Sequence, residues 1–216
     1  MRDTFHKELE SLDQDVVRMG ALVEQSTLMV TSALLEGDKE LADKVKAGDQ
    51  EIDELFIDIE MRALGMLAQQ APVAGDLRLI VAILRVAGDL ERAGDLAYNI
   101  AKMVEVDDFS HRGVKNVKSM VSQLGHAAAA LMGRAIDAWA SKDEALCAEI
   151  AVDDDEIDDL HSSLLEKLVE MKGDNALALG IRLALVGRYF ERIGDHAVSM
   201  GERAQYFLTG DEQHLS

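Results

Sequence analysis

Three observations predict an all-α chain built as two tandem, pseudo-symmetric three-helix bundles with six long antiparallel helices. Apolar residues recur every three or four positions through stretches of roughly 25–35 residues, the period of an amphipathic helix and not of a strand. Only one proline and 4% aromatic residues occur in 216, against many Ala, Leu, Met, Glu and Asp; strand-rich domains draw instead on β-branched and aromatic residues. Finally, the sequence repeats itself at an interval of about half its length.

The breaks delimit the elements in order. The first helix runs to Gly37-Asp38, which reads as a helix stop followed by a new N-cap. The second ends at Pro72, with Gly75-Asp76 marking the start of the third. The third runs into the polar segment VDDFSHRG at 106–113, and the fourth follows it. Ser141, with Glu144 three residues on, reads as a capping box that opens the fifth. Gly173-Asp174-Asn175 separates the fifth from the sixth, which closes on YFLTG. Helices of this size are on the order of 40–50 Å long.

DQEIDEL from Asp49 matches DDEIDDL from Asp154, and ERAGD at 91–95 matches ERIGD at 191–195. The offset is 105 for the first pair and 100 for the second; the hairpin AQQAPVAGD of the first half is longer than its counterpart KGD. The 105 offset also aligns Asp38 with Asp143 and Leu41 with Leu146. Two repeats of helix–helix–helix result, residues 1–108 and 109–216, each expected to bury a core of its own.

Charge and cysteine content exclude several functions. A formal charge of −19, from 41 acidic and 22 basic residues, repels nucleic-acid backbones and anionic headgroups. The single Cys147 rules out an intramolecular disulfide or a cysteine-based metal site, and its register is that of a small core residue. No run of roughly 18 apolar residues offers a membrane span, and MRDTFHKELE is not a signal peptide. A cytoplasmic protein is expected. No P-loop, dinucleotide loop, Gly-x-Ser-x-Gly or His-Glu-x-x-His is present.

What remains is a set of acids in the wrong place. At about 100° per residue, Glu91 and Asp95 continue the stripe that holds Leu77, Ile80 and Leu84, and Glu191 and Asp195 continue that of Leu177, Ile181 and Ala184. Acids on an apolar stripe are costly unless paired, protonated or coordinated. The preceding helix of each half adds Asp49 and Asp53, or Asp154 and Asp158, again four apart. Across an antiparallel hairpin, residues whose numbers share one sum lie level. Asp53 with Glu91 and Asp49 with Asp95 both give 144; Asp158 with Glu191 and Asp154 with Asp195 both give 349. Four carboxylates thus come level in each bundle and need a counter-charge. Two solutions stay open: Arg92 and Arg192 as ion-pair partners, or bridging cations, for which an all-oxygen donor set suits Mg²⁺, Mn²⁺, Ca²⁺ or iron. Asp89 and Asp76 add outer charge, and glycines 88, 94, 187 and 194 leave room for close approach. Asp158-x-x-His161 is a partial echo of carboxylate-bridged di-iron enzymes, which use paired Glu-x-x-His. His161 stands in register with Phe56, as a core or edge residue would. A ferroxidase-like enzyme and a metal-free helical scaffold are the alternatives to a regulatory metal site.

DQEIDEL, QQAPVAGDLRLIVAILRVAGDLERAGDLA and RYFERIGDHAVSMGERAQYFLTG resemble the PhoU family of phosphate-specific transport accessory proteins over essentially the whole chain. The family's acid-x₃-Asp motif falls on Asp49/Asp53, Glu91/Asp95, Asp154/Asp158 and Glu191/Asp195. Ala93 departs from the isoleucine usual there, which Ile193 keeps. The resemblance implies a non-enzymatic adaptor that negatively regulates phosphate uptake and the phosphate-starvation response. It implies metal at the acidic motifs, iron ahead of zinc, manganese or magnesium. It implies as partners the ATPase subunit of the phosphate ABC transporter and the membrane sensor histidine kinase of the phosphate two-component system. A homodimer is implied too, peripheral at the inner face of the membrane only through those proteins.

Overall fold

The computed structural model describes residues 2–70, 72–104, 109, 114–173 and 175–211. Six helices make up the fold: α1 Arg2–Glu36, α2 Lys39–Gln70, α3 Ala74–Ala101, α4 Lys115–Ser141, α5 Glu144–Val169 and α6 Ala176–Thr209. Among the described residues there is no strand. Asp174, the proposed boundary between residues 108 and 109, and all of the 106–113 segment except Phe109 lie at or among residues outside this description.

The helix ends follow from local chemistry. Gly37 takes φ +67°, the left-handed conformation that stops α1 at no steric cost. Asp38 then caps α2, its Oδ1 accepting from Leu41 N at 2.9 Å. The repeat reproduces this cap: Asp143 Oδ1 accepts from Ala145 N at 2.9 Å and Leu146 N at 3.3 Å. Ser141 is therefore not the cap of α5. It is the last residue of α4, and its hydroxyl donates back to Asp137 O at 2.7 Å. A serine near a break has both options, and here Asp143, an equally good cap, is closer to the next helix. Gly75 and Asp76 fall inside the first turn of α3.

In the first bundle α1, α2 and α3 pack on one another; in the second α4, α5 and α6 do. α1 meets α4 and α3 meets α6, while α2 and α5 lie on the outside. Both crossings are antiparallel. Asp13 of α1 binds Lys142, the residue just past the end of α4, whereas Thr31, further along α1, faces Gly125 in the first half of α4. Arg78 lies against Gly210, whereas Asp89 meets Arg203. The second bundle is thus inverted relative to the first, and the α2–α3 and α5–α6 hairpins sit at opposite ends of the molecule. Close approach needs small residues: a β-carbon at Gly125 would strike the Thr31 side chain and come within 3.0 Å of Phe190 Cζ. The buried apolar residues run from one bundle into the other as a single cluster. The expectation of a separate core in each half gives way to one shared core, Cys147 within it.

Across the α3–α6 crossing lies a buried ionic joint. Asp89, only 4% exposed, accepts from Arg203 Nε at 2.6 Å and from Arg92 at 3.4 Å, with His196 Nδ1 3.5 Å away. Burial alone would raise its carboxyl pKa, but the contacts from His196 and Arg203 outweigh it and hold it below the ordinary range. Removing one partner of such a group strands the other. Asp89→Ala is expected to lower unfolding stability by about 3 kcal/mol, measured by denaturant titration. A loss under about 0.5 kcal/mol, the size seen at unremarkable surface positions, would show the joint to be incidental.

Candidate functional site

The level pairing read from the sequence places eight carboxylates in two grooves, between α2 and α3 and between α5 and α6. Asp49 lies against Gly94, where a β-carbon would sit 3.4 Å from its Oδ1 and 3.1 Å from Ile52 Cδ1. Asp154 lies against Gly194 in the same manner and closer, at 2.7 Å from the corresponding point. This accounts for the glycine inside each Glu-Arg-x-Gly-Asp: it leaves the volume into which the opposite aspartate reaches. In both grooves the aspartates at 53, 95, 158 and 195 are exposed, while Asp49, Glu91 and Asp154 are half-buried and Glu191 is buried.

Like charges in partial burial raise one another's pKa. Burial, then the charges of Asp53, Asp95 and Glu91, push Asp49 up to about 6. Burial, then Asp158, Asp195 and Asp155, push Asp154 up to about 6. Glu91 is raised by burial and by Asp95 and Asp53, against the opposing charges of Arg92 and His196. Glu191 is raised by burial and by Asp195, Asp158 and Asp154, against Arg188. The charges of Asp53, Glu91 and Asp95 thus bear on Asp49, and those of Asp158 and Asp195 on Asp154.

Two buried oxygens in the second groove, Asp154 Oδ1 and Glu191 Oε2, have no hydrogen-bond partner. Orphaned carboxylate oxygens of this kind suit a hard cation, for which every donor here is an oxygen. Among the described residues no three His, Cys, Asp or Glu side chains are already drawn in around a common point.

The counter-charges differ from those the sequence predicts. Arg92 bonds Asp89 and not Glu91. Glu191 is held by Arg188, one turn earlier on α6, a residue that carries no motif. Asp89 is part of the inter-bundle joint instead of adding outer charge to the groove, and Asp76 lies 3.9 Å from His6 at the surface. His161 is half-buried against Gly187, and burial, then Arg188, lowers its pKa against the pull of Asp158.

The raised aspartates set a pH dependence of stability. A carboxyl whose folded pKa lies above its unfolded value binds more protons when folded, so its contribution is complete below the unfolded pKa and is lost as pH rises through the folded one. For Asp49 and Asp154 the window runs from 3.8 to about 6. Each amounts to at most about 3 kcal/mol, reduced to about 1 kcal/mol by solvent screening in an open groove. The melting temperature of metal-free protein should therefore fall by roughly 4–8 °C between pH 4.5 and pH 7. Asp49→Asn/Asp154→Asn should flatten that slope; an unchanged slope in the double variant would assign it to other groups.

The fold and the repeat are shared with known proteins. The model of the PhoU domain matches residues 16–104 and 121–204. The phosphate-specific transport system accessory protein PhoU homolog 2 of Mycobacterium tuberculosis is 33% identical over 210 residues, covering 97% of this chain and 99% of that protein. The PhoU homolog of Synechocystis is 33% identical, covering 98% and 94%. The crystal structure of PhoU from Pseudomonas aeruginosa superposes with a TM-score of 0.89 at 30% identity, covering 96% of this chain and all of that one. The phosphate transport system regulatory protein PhoU from Streptococcus pneumoniae gives 0.85 at 26%, covering 96% and 98%. A chain matched in both of its repeats and over nearly its full length by these proteins belongs to the PhoU family.

Proposed function

We propose that the chain is a regulatory adaptor of phosphate uptake with no turnover of its own. In this reading it restrains uptake and the phosphate-starvation response by relaying the state of the phosphate ABC transporter, through its ATPase subunit, to the sensor histidine kinase of the phosphate two-component system. It acts in the cytoplasm as a homodimer, reaching the inner face of the membrane through those partners. Among the described residues no helix is long and apolar enough to cross a membrane. Names of relatives as accessory and regulatory proteins of phosphate transport support the physiological setting.

The observation that carries the reading is the duplicated convergence of carboxylates on either side of the α3–α6 crossing. Asp49, Asp53, Glu91 and Asp95 would hold metal in one groove, and Asp154, Asp158, Glu191 and Asp195 in the other. Bound there, iron, zinc, manganese or magnesium would supply the positive charge that the grooves lack. Partner contact is supported by a second feature. Of the exposed large apolar residues among those described, all but Leu28 and Val152 lie toward the two hairpins, Met61 and Val73 at one, Val169 and Leu177 at the other. Concentration of such residues in patches marks interaction surfaces.

Asp95→Asn/Asp195→Asn should remove most of the metal that plasma mass spectrometry finds on the purified protein. The same variant should also relieve repression of a phosphate-starvation reporter in cells lacking their own copy. Full repression by a stably folded, metal-free double variant would separate the grooves from the function. Gly194→Ala makes a finer probe, because helix propensity gains about 1 kcal/mol from alanine while the new methyl displaces Asp154. Its folding stability should stay within about 1 kcal/mol of the parent, and its second groove should lose metal. Retained metal would place Asp154 outside the ligand set.

A further inference from the structure

The two grooves differ in which acid their arginine holds. In the second, Arg188 forms an ion pair with Glu191 Oε1. In the first, the level-equivalent position is Gly88, whose nearest side-chain neighbours are Arg92 and Phe56. Glu191 is also the more deeply placed glutamate: its side chain is 10% exposed, and Oε2 has no partner. Without a positive charge beside it, so buried a carboxylate would be strongly disfavoured.

Resting on the reading of the grooves as cation sites, we propose that Arg188 is a tethered counter-ion that competes with a divalent cation for Glu191. The second groove then accepts a cation more weakly than the first, and only as the guanidinium swings aside. Two points of physical chemistry carry this. Arg188 occupies an oxygen that a metal would need, and its positive charge opposes the incoming ion. Its side chain is 52% exposed, so the released guanidinium is taken up by water, and a pair this open is weak enough to be displaced. The arginine therefore satisfies Glu191 while no cation is present and gives way when cation activity rises. In the first groove the arginine beside that place, Arg92, is bonded to Asp89 instead of Glu91.

The experiment uses Mn²⁺ alone, titrated into full-length protein by calorimetry and by the electron spin resonance of the free ion. Asp195→Asn and Asp95→Asn backgrounds isolate the first and second grooves. Wild type should show two affinities, the weaker one lost in Asp195→Asn. Arg188→Gln should tighten the second groove about tenfold. It should also lower the melting temperature of the metal-free protein, which saturating Mn²⁺ restores. Gly88→Arg should weaken the first groove in turn, a check that stands even if Arg188→Gln folds poorly. Destabilisation by Arg188→Gln with unchanged Mn²⁺ affinity would make the arginine a structural partner only and overturn the inference, leaving the cation reading intact. No Mn²⁺ on wild type or any variant would overturn both.

Discussion

The mutual position of the two carboxylate grooves depends on one buried anion. Asp89 lies two residues before Glu91 on α3, and its main partners, His196 and Arg203, belong to α6, where His196 follows Asp195 directly. A carboxylate 4% exposed is not tolerated without such partners, so α3 and α6 are held at the register that satisfies it. Because α3 carries the acids of one groove and α6 those of the other, the joint fixes both at once. His196 is close enough to Glu91 for its charge to bear on that group, so the grooves are also linked electrostatically across the crossing.

Within each groove the sequence contradicts ordinary core logic, and this is where it is informative. Asp49 and Asp154 reach into space left by Gly94 and Gly194; apolar residues there would pack better and alanine at the glycines would favour the helix. Instead the fold accepts burial and mutual repulsion that together bring both aspartates to about 6. Local conflict of this kind, in a chain otherwise consistent from caps to core, is the mark of a site kept for a purpose other than stability. A proton relieves the conflict at low pH; near neutrality a neighbouring positive charge does so, as Arg188 does for Glu191.

Much of this was legible in one sequence because it is governed by local periodicity and by hairpin geometry. Antiparallel neighbours joined by a short turn have a register set by the turn, so the level pairing of Asp49 with Asp95 and of Asp154 with Asp195 follows from counting. The cap at Asp38 was readable for the same reason, and its repeat at Asp143 could have been read from the 105 offset in preference to Ser141. Contacts between the bundles have no such rule. Nothing in the spacing of Asp89, His196 and Arg203 says that they meet, since the crossing that unites them depends on how two amphipathic units dock. Arg188 was missed for a different reason. An arginine three residues before a glutamate on a helix is common and usually a surface pair; only the burial of Glu191 makes it consequential.

The inversion of the second bundle bears on what an adaptor of this shape can do. Had the repeats been stacked in parallel, both hairpins would lie at one end and a single partner would cover both apolar tips. Antiparallel crossings of α1 with α4 and of α3 with α6 instead set the tips at opposite ends of helices of 26–34 residues, on the order of 40 Å apart or more. Under the proposed reading two partners would have separate places to dock, with the carboxylate grooves and the Asp89 joint lying between them. The proposed relay would require a change at one end to be felt at the other, and Asp49 and Asp154, raised to about 6, lie between the two ends.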